Sequence, residues 1–322
     1  MSASDDSATP APASPDARLE GLKVVAVHAH PDDEALAGGG LLAHLARRGA
    51  EVTVVTCTLG EQGEVIGEPY QNLVADRADQ LGGFRIAELM ASHEALGVKG
   101  RFLGAPGKYR DSGMAGDPAS RDPRAFGNRY GEAAEDHKRL FAELKPDVVV
   151  TYDERGGYGH PDHVQIHRLV MAEVAERPVR RVLWTVRDRK RLDAGSAAIR
   201  TLPEGWRRPE DGELDAVDKP DLHVALDRQD VSRKIEALGC HPTQVWVADG
   251  RVSRTNPTPA RAAINGDAAV GCYALSNLIA QPITAAEHVI LGAGEPLPED
   301  ARDADGFGDP AAGLVPGGAG LP

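Results

Sequence analysis

Two short clusters hold the residues best suited to chemistry. They are His28-Ala29-His30-Pro31-Asp32-Asp33-Glu34 and His160-Pro161-Asp162-His163, and each contains a His-Pro-Asp triplet. A hydrolytic metal commonly takes three protein donors of histidine and carboxylate type and leaves one position for water. His30 and Asp33 from the first cluster and His163 from the second make such a set. Two histidines and one carboxylate also describe a ferrous site, so zinc and iron(II) both stay open on ligand type alone. Asp32 is left over beside this set, and a spare carboxylate there can act as general base toward water. Proline suits the first turn of a helix and fixes φ, which orients the histidine before it and the carboxylate after it.

The plain alternative is helix capping, since Asp near a helix N-terminus satisfies free N–H groups. Two such corners, both dense in His and Asp, outweigh that reading when they fall at the ends of strands. His163 and His167 form a rival pair, four apart on one helix face. That helix lacks the glutamate that follows the first histidine in the zincin pattern. His28 shares a strand face with His30 and reads as core or as support for a ligand. His44, His93, His137, His223 and His288 carry no further signal.

The elements that must position these corners follow from hydrophobic runs. Residues 22–27, 52–57 and 148–152 are short and rich in valine, as strands buried on both faces of a parallel sheet are. Residues 100–103 and 182–186 read as further strands. Helical spacing covers 33–48, 71–96, 133–144 and 161–176, with Gly38-Gly39-Gly40 and Gly82-Gly83 weakening two of these. Residues 104–129 form a long loop, and 153–159 a glycine-rich one. Strands alternating with helices give βαβ units. The expected fold is therefore α/β, Rossmann-like, with a mostly parallel sheet flanked by helices. Ligands in such sheets bind beyond the carboxyl ends of the strands, where both clusters lie.

After Asp188 the pattern loosens into a smaller α+β section. Residues 221–226 and 245–247 read as strands there, and 231–238 and 273–280 as helices. The expected organisation is a disordered tail over 1–20, a catalytic core over 21–187, a C-terminal section over 188–293 covering the site, and a second disordered tail over 294–322.

Lys and Arg number 36 against 49 Asp and Glu, a formal net charge of −13. Nucleic-acid binders need a basic face, so nucleic acid and anionic membrane are poor partners. No apolar run approaches the roughly 20 residues of a membrane span. The first residues lack the basic and apolar regions of a secretory signal. The three cysteines, Cys57, Cys240 and Cys272, are sparse and without metal-type spacing, as in reduced cytoplasmic proteins. Oligomeric state leaves no signature.

With the residues in view, the chain resembles the LmbE-like (PIG-L) family of zinc-dependent N-acetylglucosaminyl deacetylases. The likeness rests on His30-Pro31-Asp32-Asp33-Glu34 and His160-Pro161-Asp162-His163, and is extended by the stretches 56–67, 75–89, 110–116 and 151–163. It covers roughly residues 22–170 and returns at 237–245 and 273–292. Its nearest branch is the actinobacterial one that acts on N-acetylglucosaminyl-inositol in mycothiol biosynthesis. The resemblance implies zinc on His30, Asp33 and His163, with Asp32 as general base. It implies that Tyr158 and His160 polarise the acetyl carbonyl. It also implies that Glu64, Arg85, Asp111 and Met114 contact a small amino-sugar substrate. The competing readings are a mycothiol S-conjugate amidase, a deacetylase for another N-acetyl amino sugar, and a sugar-binding protein without catalysis.

Overall fold

The computed structural model describes residues 18–314. In chain order its elements are β1 (Lys23–His28), α1 (Asp33–Leu36), α2 (Gly39–Arg47), β2 (Glu51–Thr56), α3 (Leu81–Leu96) and β3 (Lys99–Phe102). Then come α4 (Tyr130–Leu144), β4 (Val148–Thr151), α5 (Pro161–Glu176), β5 (Arg181–Val186), α6 (Arg189–Ala198) and β6 (Ile199–Thr201). The chain continues through β7 (Leu222–Ala225), α7 (Arg228–Gly239), β8 (Trp246–Val247), β9 (Ala263–Ile264), β10 (Gly271–Ala274), β11 (Gln281–Ile283) and β12 (Ala286–Gly294).

Seven strands form the main sheet in the order β3-β2-β1-β4-β5-β12-β7. The first five run parallel, and β12 pairs antiparallel with both β5 and β7. The alternating valines of β1 explain how one strand serves two cores. Val25 and Val27 pack with Leu140, Phe141, Ile166 and Val170 from α4 and α5. Val24 and Ala26 pack with Leu41, Leu42 and Leu45 from α2 on the opposite face. From β1 the chain builds outward to β2 and β3, then returns to the other side as β4 and β5. The switch point therefore lies between β1 and β4, where open α/β sheets bind their ligands. The two His-Pro-Asp corners follow those two strands.

The structure departs from the sequence reading in four places. The helix expected over 33–48 is split into α1 and α2. Gly38 takes φ +121° at the break, and a Cβ there would meet the Thr185 methyl at 2.9 Å. The helix expected over 71–96 exists only from Leu81. The Gln71 side-chain amide donates to the carbonyls of Val65 and Gly67, and Asp79 turns the chain at φ +52°. Local side-chain bonds of this kind compete with helix. Residues 273–280 are not helical: β10 and β11 pair antiparallel across a turn. Asn277 Oδ1 accepts from the Ile279 N–H, and Leu278 sits at φ +54°.

The fourth departure concerns the domain limits. Within the section over 188–293, the strands β7 and β12 extend one edge of the main sheet. Residues 294–314 are not a disordered tail. The wholly buried Arg181 donates to the carbonyls of Glu295, Pro296, Pro310 and Ala312, and Ala311 and Leu314 are buried against the sheet. At the other end Leu19 is buried, and its N–H donates to the Arg48 carbonyl. The rest of both expected tails, 1–17 and 315–322, lies outside the described residues. Among the described residues no helix is long and apolar enough to cross a membrane.

Candidate active site

β1 ends at His28, and the chain turns through His30 and Pro31 into the single turn of α1. β4 ends at Thr151, and the loop 153–159 leads to His160, which caps α5. Three donor atoms meet between these corners. His30 Nδ1 is 3.3 Å from His163 Nε2, and each lies 3.4 Å from Asp33 Oδ2. A tetrahedral centre with bonds of about 2.0–2.1 Å spaces its ligands about 3.3–3.4 Å apart. The triangle therefore matches one face of a tetrahedral metal site.

Each donor is braced from behind, as metal ligands usually are. His163 Nδ1–H donates to the Gly156 carbonyl at 3.2 Å, which leaves Nε2 free to ligate. The Tyr152 hydroxyl donates to Asp33 Oδ2 at 2.7 Å, and the His30 N–H does so at 2.9 Å. His30 turns its far nitrogen, Nε2, toward two buried carboxylates, Asp111 at 3.5 Å and Asp162 at 3.4 Å. Burial disfavours charge on His30, but Asp111, Asp162 and Asp33 outweigh it and raise its pKa well above the usual value. Burial likewise opposes the charge of Asp33, yet His163 and His30 hold its pKa well below the carboxylate range. A site that concentrates negative charge around buried nitrogen donors fits a divalent cation.

Asp32 stands beside the triangle in an unusual backbone conformation, φ +124° and ψ −28°. A non-glycine residue in such a region costs about 1–3 kcal/mol and persists only where its surroundings impose it. Burial pushes the Asp32 carboxyl up to about 6, with Arg85 pulling it down and Asp33 adding to the rise.

The loop carrying Tyr158 crosses close over α5. A Cβ at Gly156 would lie 2.7 Å from the His163 Cβ, and Gly156 takes φ +66°. Asp153 Oδ1 accepts from the N–H groups of Arg155 and Gly157, which fixes the loop's base. Tyr158 itself is 57% exposed, with its ring 5.2 Å from that of His163 and 6.1 Å from that of His160. His160 is buried. Its Nδ1 accepts from the Asp162 N–H at 3.2 Å, so the ring proton sits on Nε2. Burial first, then His30 and His163, lower its pKa to about 4, leaving a neutral N–H donor beside the triangle.

The four expected substrate contacts separate into two kinds. Arg85 is only 2% exposed. It donates to the carbonyls of Pro31 and Gly60 and lies 3.1 Å from Asp32 Oδ2, so it braces Asp32 rather than reaching into solvent. Asp111 is buried against His30 and His160, with Oδ1 accepting from the Gly113 N–H. Glu64 and Met114 are exposed, the latter 48%. His167 does not join His163. Its Nδ1–H donates to the Tyr152 carbonyl, and its ring packs edge-on against Trp184. His28 is wholly buried and edge-on to Tyr152.

Other members of the site escaped the sequence reading. Tyr152 directly follows β4 and Asp162 lies inside the second corner, and both could have been drawn in as neighbours of the triangle. Glu34 is buried behind Asp32 and pairs with His241 Nε2 at 2.6 Å. Burial opposes its charge, but His241 holds its pKa down to about 2. Only the returning likeness over 237–245 pointed toward His241. A cavity of about 440 Å³ opens from Asp33, Tyr152, Tyr158 and His163 toward Arg187, Lys234 and Glu287. A second hollow, of about 230 Å³ between α7 and β8, contains none of the site residues.

The GlcNAc-PI de-N-acetylase (PIG-L) family profile matches residues 25–174. The 1D-myo-inositol 2-acetamido-2-deoxy-alpha-D-glucopyranoside deacetylase of Corynebacterium glutamicum (strain R) is 58% identical over 283 residues, which cover 88% of this chain and 95% of that protein. The protein of the same description from Rhodococcus erythropolis is 46% identical, covering 89% of this chain and 97% of its own. Among solved structures, the A40926 pseudoaglycone deacetylase is similar at 21% identity and a TM-score of 0.47, covering 70% of this chain and 83% of that one.

Proposed function

The chain belongs to the GlcNAc-PI de-N-acetylase (PIG-L) family, and on that premise we propose the reaction and the role of each residue. The enzyme hydrolyses the acetamide of 1D-myo-inositol 2-acetamido-2-deoxy-α-D-glucopyranoside, giving the free amine and acetate, in mycothiol biosynthesis. The support is the high identity, over nearly the whole chain, to relatives named for that activity. The observation that carries the chemistry is the triangle of His30, Asp33 and His163 with Asp32 left over beside it.

Those three residues hold the divalent metal, taken here as zinc. Such an ion polarises a carbonyl and makes a water acidic enough to be activated near neutral pH. Asp32, held by Arg85, accepts the proton of the attacking water. Negative charge then grows on the former carbonyl oxygen. His160 Nε2–H and the Tyr158 hydroxyl donate to it, and removing a single donor of this kind costs about 3–4 kcal/mol of barrier. His160 Nδ1 is engaged as a helix cap, so Asp32, now protonated, returns the proton to the leaving amine. Asp111 and Asp162 keep His30 oriented. Glu64 and Met114, both exposed, remain the candidate contacts to the sugar or inositol.

Metal analysis and an amine-release assay on the purified protein test this reading together. One zinc per chain and turnover of N-acetylglucosaminyl-inositol well above that of a mycothiol S-conjugate are expected. Preference for the conjugate would make the protein an amidase, and iron in place of zinc would correct the metal.

A further inference from the structure

The carboxylate of Asp32 is useful only if its backbone keeps the conformation that aims it, and that conformation is one L residues rarely adopt. Its own side chain makes no capping bond to α1. What grips it is the Asp32 N–H, which donates to Glu34 Oε2 at 3.0 Å. Glu34 is wholly buried. Its other oxygen, Oε1, accepts from the His241 Nε2–H at 2.6 Å and from the Ser92 hydroxyl. His241, just after α7, is also wholly buried, and Ser92 belongs to α3. Two elements distant in sequence thus converge on a carboxylate that touches Asp32.

Fold stability is a poor explanation for this arrangement. A buried ion pair loses much of its attraction to desolvation, and apolar side chains of similar volume often serve a core as well or better. A fixed conformation at a working residue is a better one, because strained backbone persists only where several contacts impose it.

We propose that the buried Glu34–His241 pair, with Ser92, is the positioning device that fixes the Asp32 peptide and so aims the carboxylate at its water. Arg85 acts from the other side, on the Pro31 carbonyl and Asp32 Oδ2. The C-terminal part of the chain therefore sets the geometry of the first corner across 207 positions of sequence. The inference rests on the reading of Asp32 as base.

The test compares His241→Leu, which removes the donor at similar volume, with His241→Gln, which keeps an N–H. Both are made in the full chain and loaded with zinc. In His241→Leu, kcat should fall by about 10- to 100-fold, the scale expected when a reacting group is misplaced by about 1 Å. KM should stay within about twofold, and zinc content should be unchanged. His241→Gln should recover most of the loss. A crystal structure of His241→Leu should show Asp32 φ outside its present range, a readout independent of turnover. Wild-type kcat in a folded, zinc-loaded His241→Leu, an unmoved Asp32, or a loss that follows zinc content would each overturn the proposal. If His241→Leu does not fold, Ser92→Ala carries the test, with the same pattern at smaller size. A wild-type protein that binds zinc but releases no amine would fail the functional reading instead, and the Asp32 conformation would still judge the pair.

Discussion

The two His-Pro-Asp corners share a tripeptide and a place at the sheet's switch point, yet they are built in opposite ways. The second is an ordinary helix start. His160 has extended backbone, φ −62° and ψ 130°, its ring caps the Asp162 N–H, and Pro161 opens the 16 residues of α5. The first has Asp32 at φ +124° with no side-chain cap, followed by the four residues of α1. The relaxed corner carries His163 of the donor triangle and the buried His160 ring. The strained one carries His30 and Asp33 of that triangle, with Asp32 between them in sequence. What separates them is packed behind each corner: a long helix at the second, and Arg85, Ser92, Glu34 and His241 at the first.

The comparison breaks most severely where both corners meet. His163→Ala removes one vertex of the triangle, and metal affinity and turnover should both fall by at least about 100-fold, the upper end of what losing a mere supporting partner costs. Added zinc should restore little of either, as titration with a metallochromic dye would show. The next effect separates the corners' tasks. His160→Ala should keep the metal and lose about 10²–10³-fold in kcat, the usual scale for one donor to a developing oxyanion. A similar loss accompanied by metal release would instead make His160 a ligand, as its grouping with His30 and His163 allows.

The smallest effect on turnover should come from outside both corners. Asp230 accepts from His44 and Arg47 on α2. Burial raises its pKa, but those two partners outweigh it and bring the carboxyl to about 2, from an ordinary 3.8. A carboxyl depressed on folding contributes stability that is complete above its unfolded value and is lost as pH falls through its folded one. Asp230→Asn should therefore leave kcat unchanged and cost about 1–3 kcal/mol at neutral pH. The gap between wild type and variant should narrow between pH 4 and pH 2 in chemical denaturation.

How much of this was legible in the sequence differs along the chain. The valine runs at β1, β2 and β4 and the helix α5 follow from local pattern, because a strand buried on both faces must be apolar throughout. The meeting of His30, Asp33 and His163 was legible because each lies in a corner whose residue types are informative alone. Arg85 and Asp111 were named through the resemblance, but their buried partners Pro31, Gly60, Asp32 and His30 were not legible. Whether a guanidinium meets substrate or a neighbouring carbonyl depends on packing between α3 and the first corner, which spacing does not encode. The pairing of His241 and the role of Arg181 were silent for the same reason: their partners lie 207 and 114–131 positions away. The turn at 275–280 was misread because Asn277 Oδ1 accepts from the Ile279 N–H, a local competitor of helix that periodicity does not register.

In the proposed reaction Asp32, and no metal ligand, moves the proton. Asp32→Asn preserves shape and leaves His30, Asp33 and His163 in place. Measured on protein with its zinc content determined, release of amine from N-acetylglucosaminyl-inositol should drop by about 10²–10⁴-fold in kcat at full metal occupancy, the range general bases contribute. Turnover within a few-fold of wild type in that zinc-loaded variant would contradict the account.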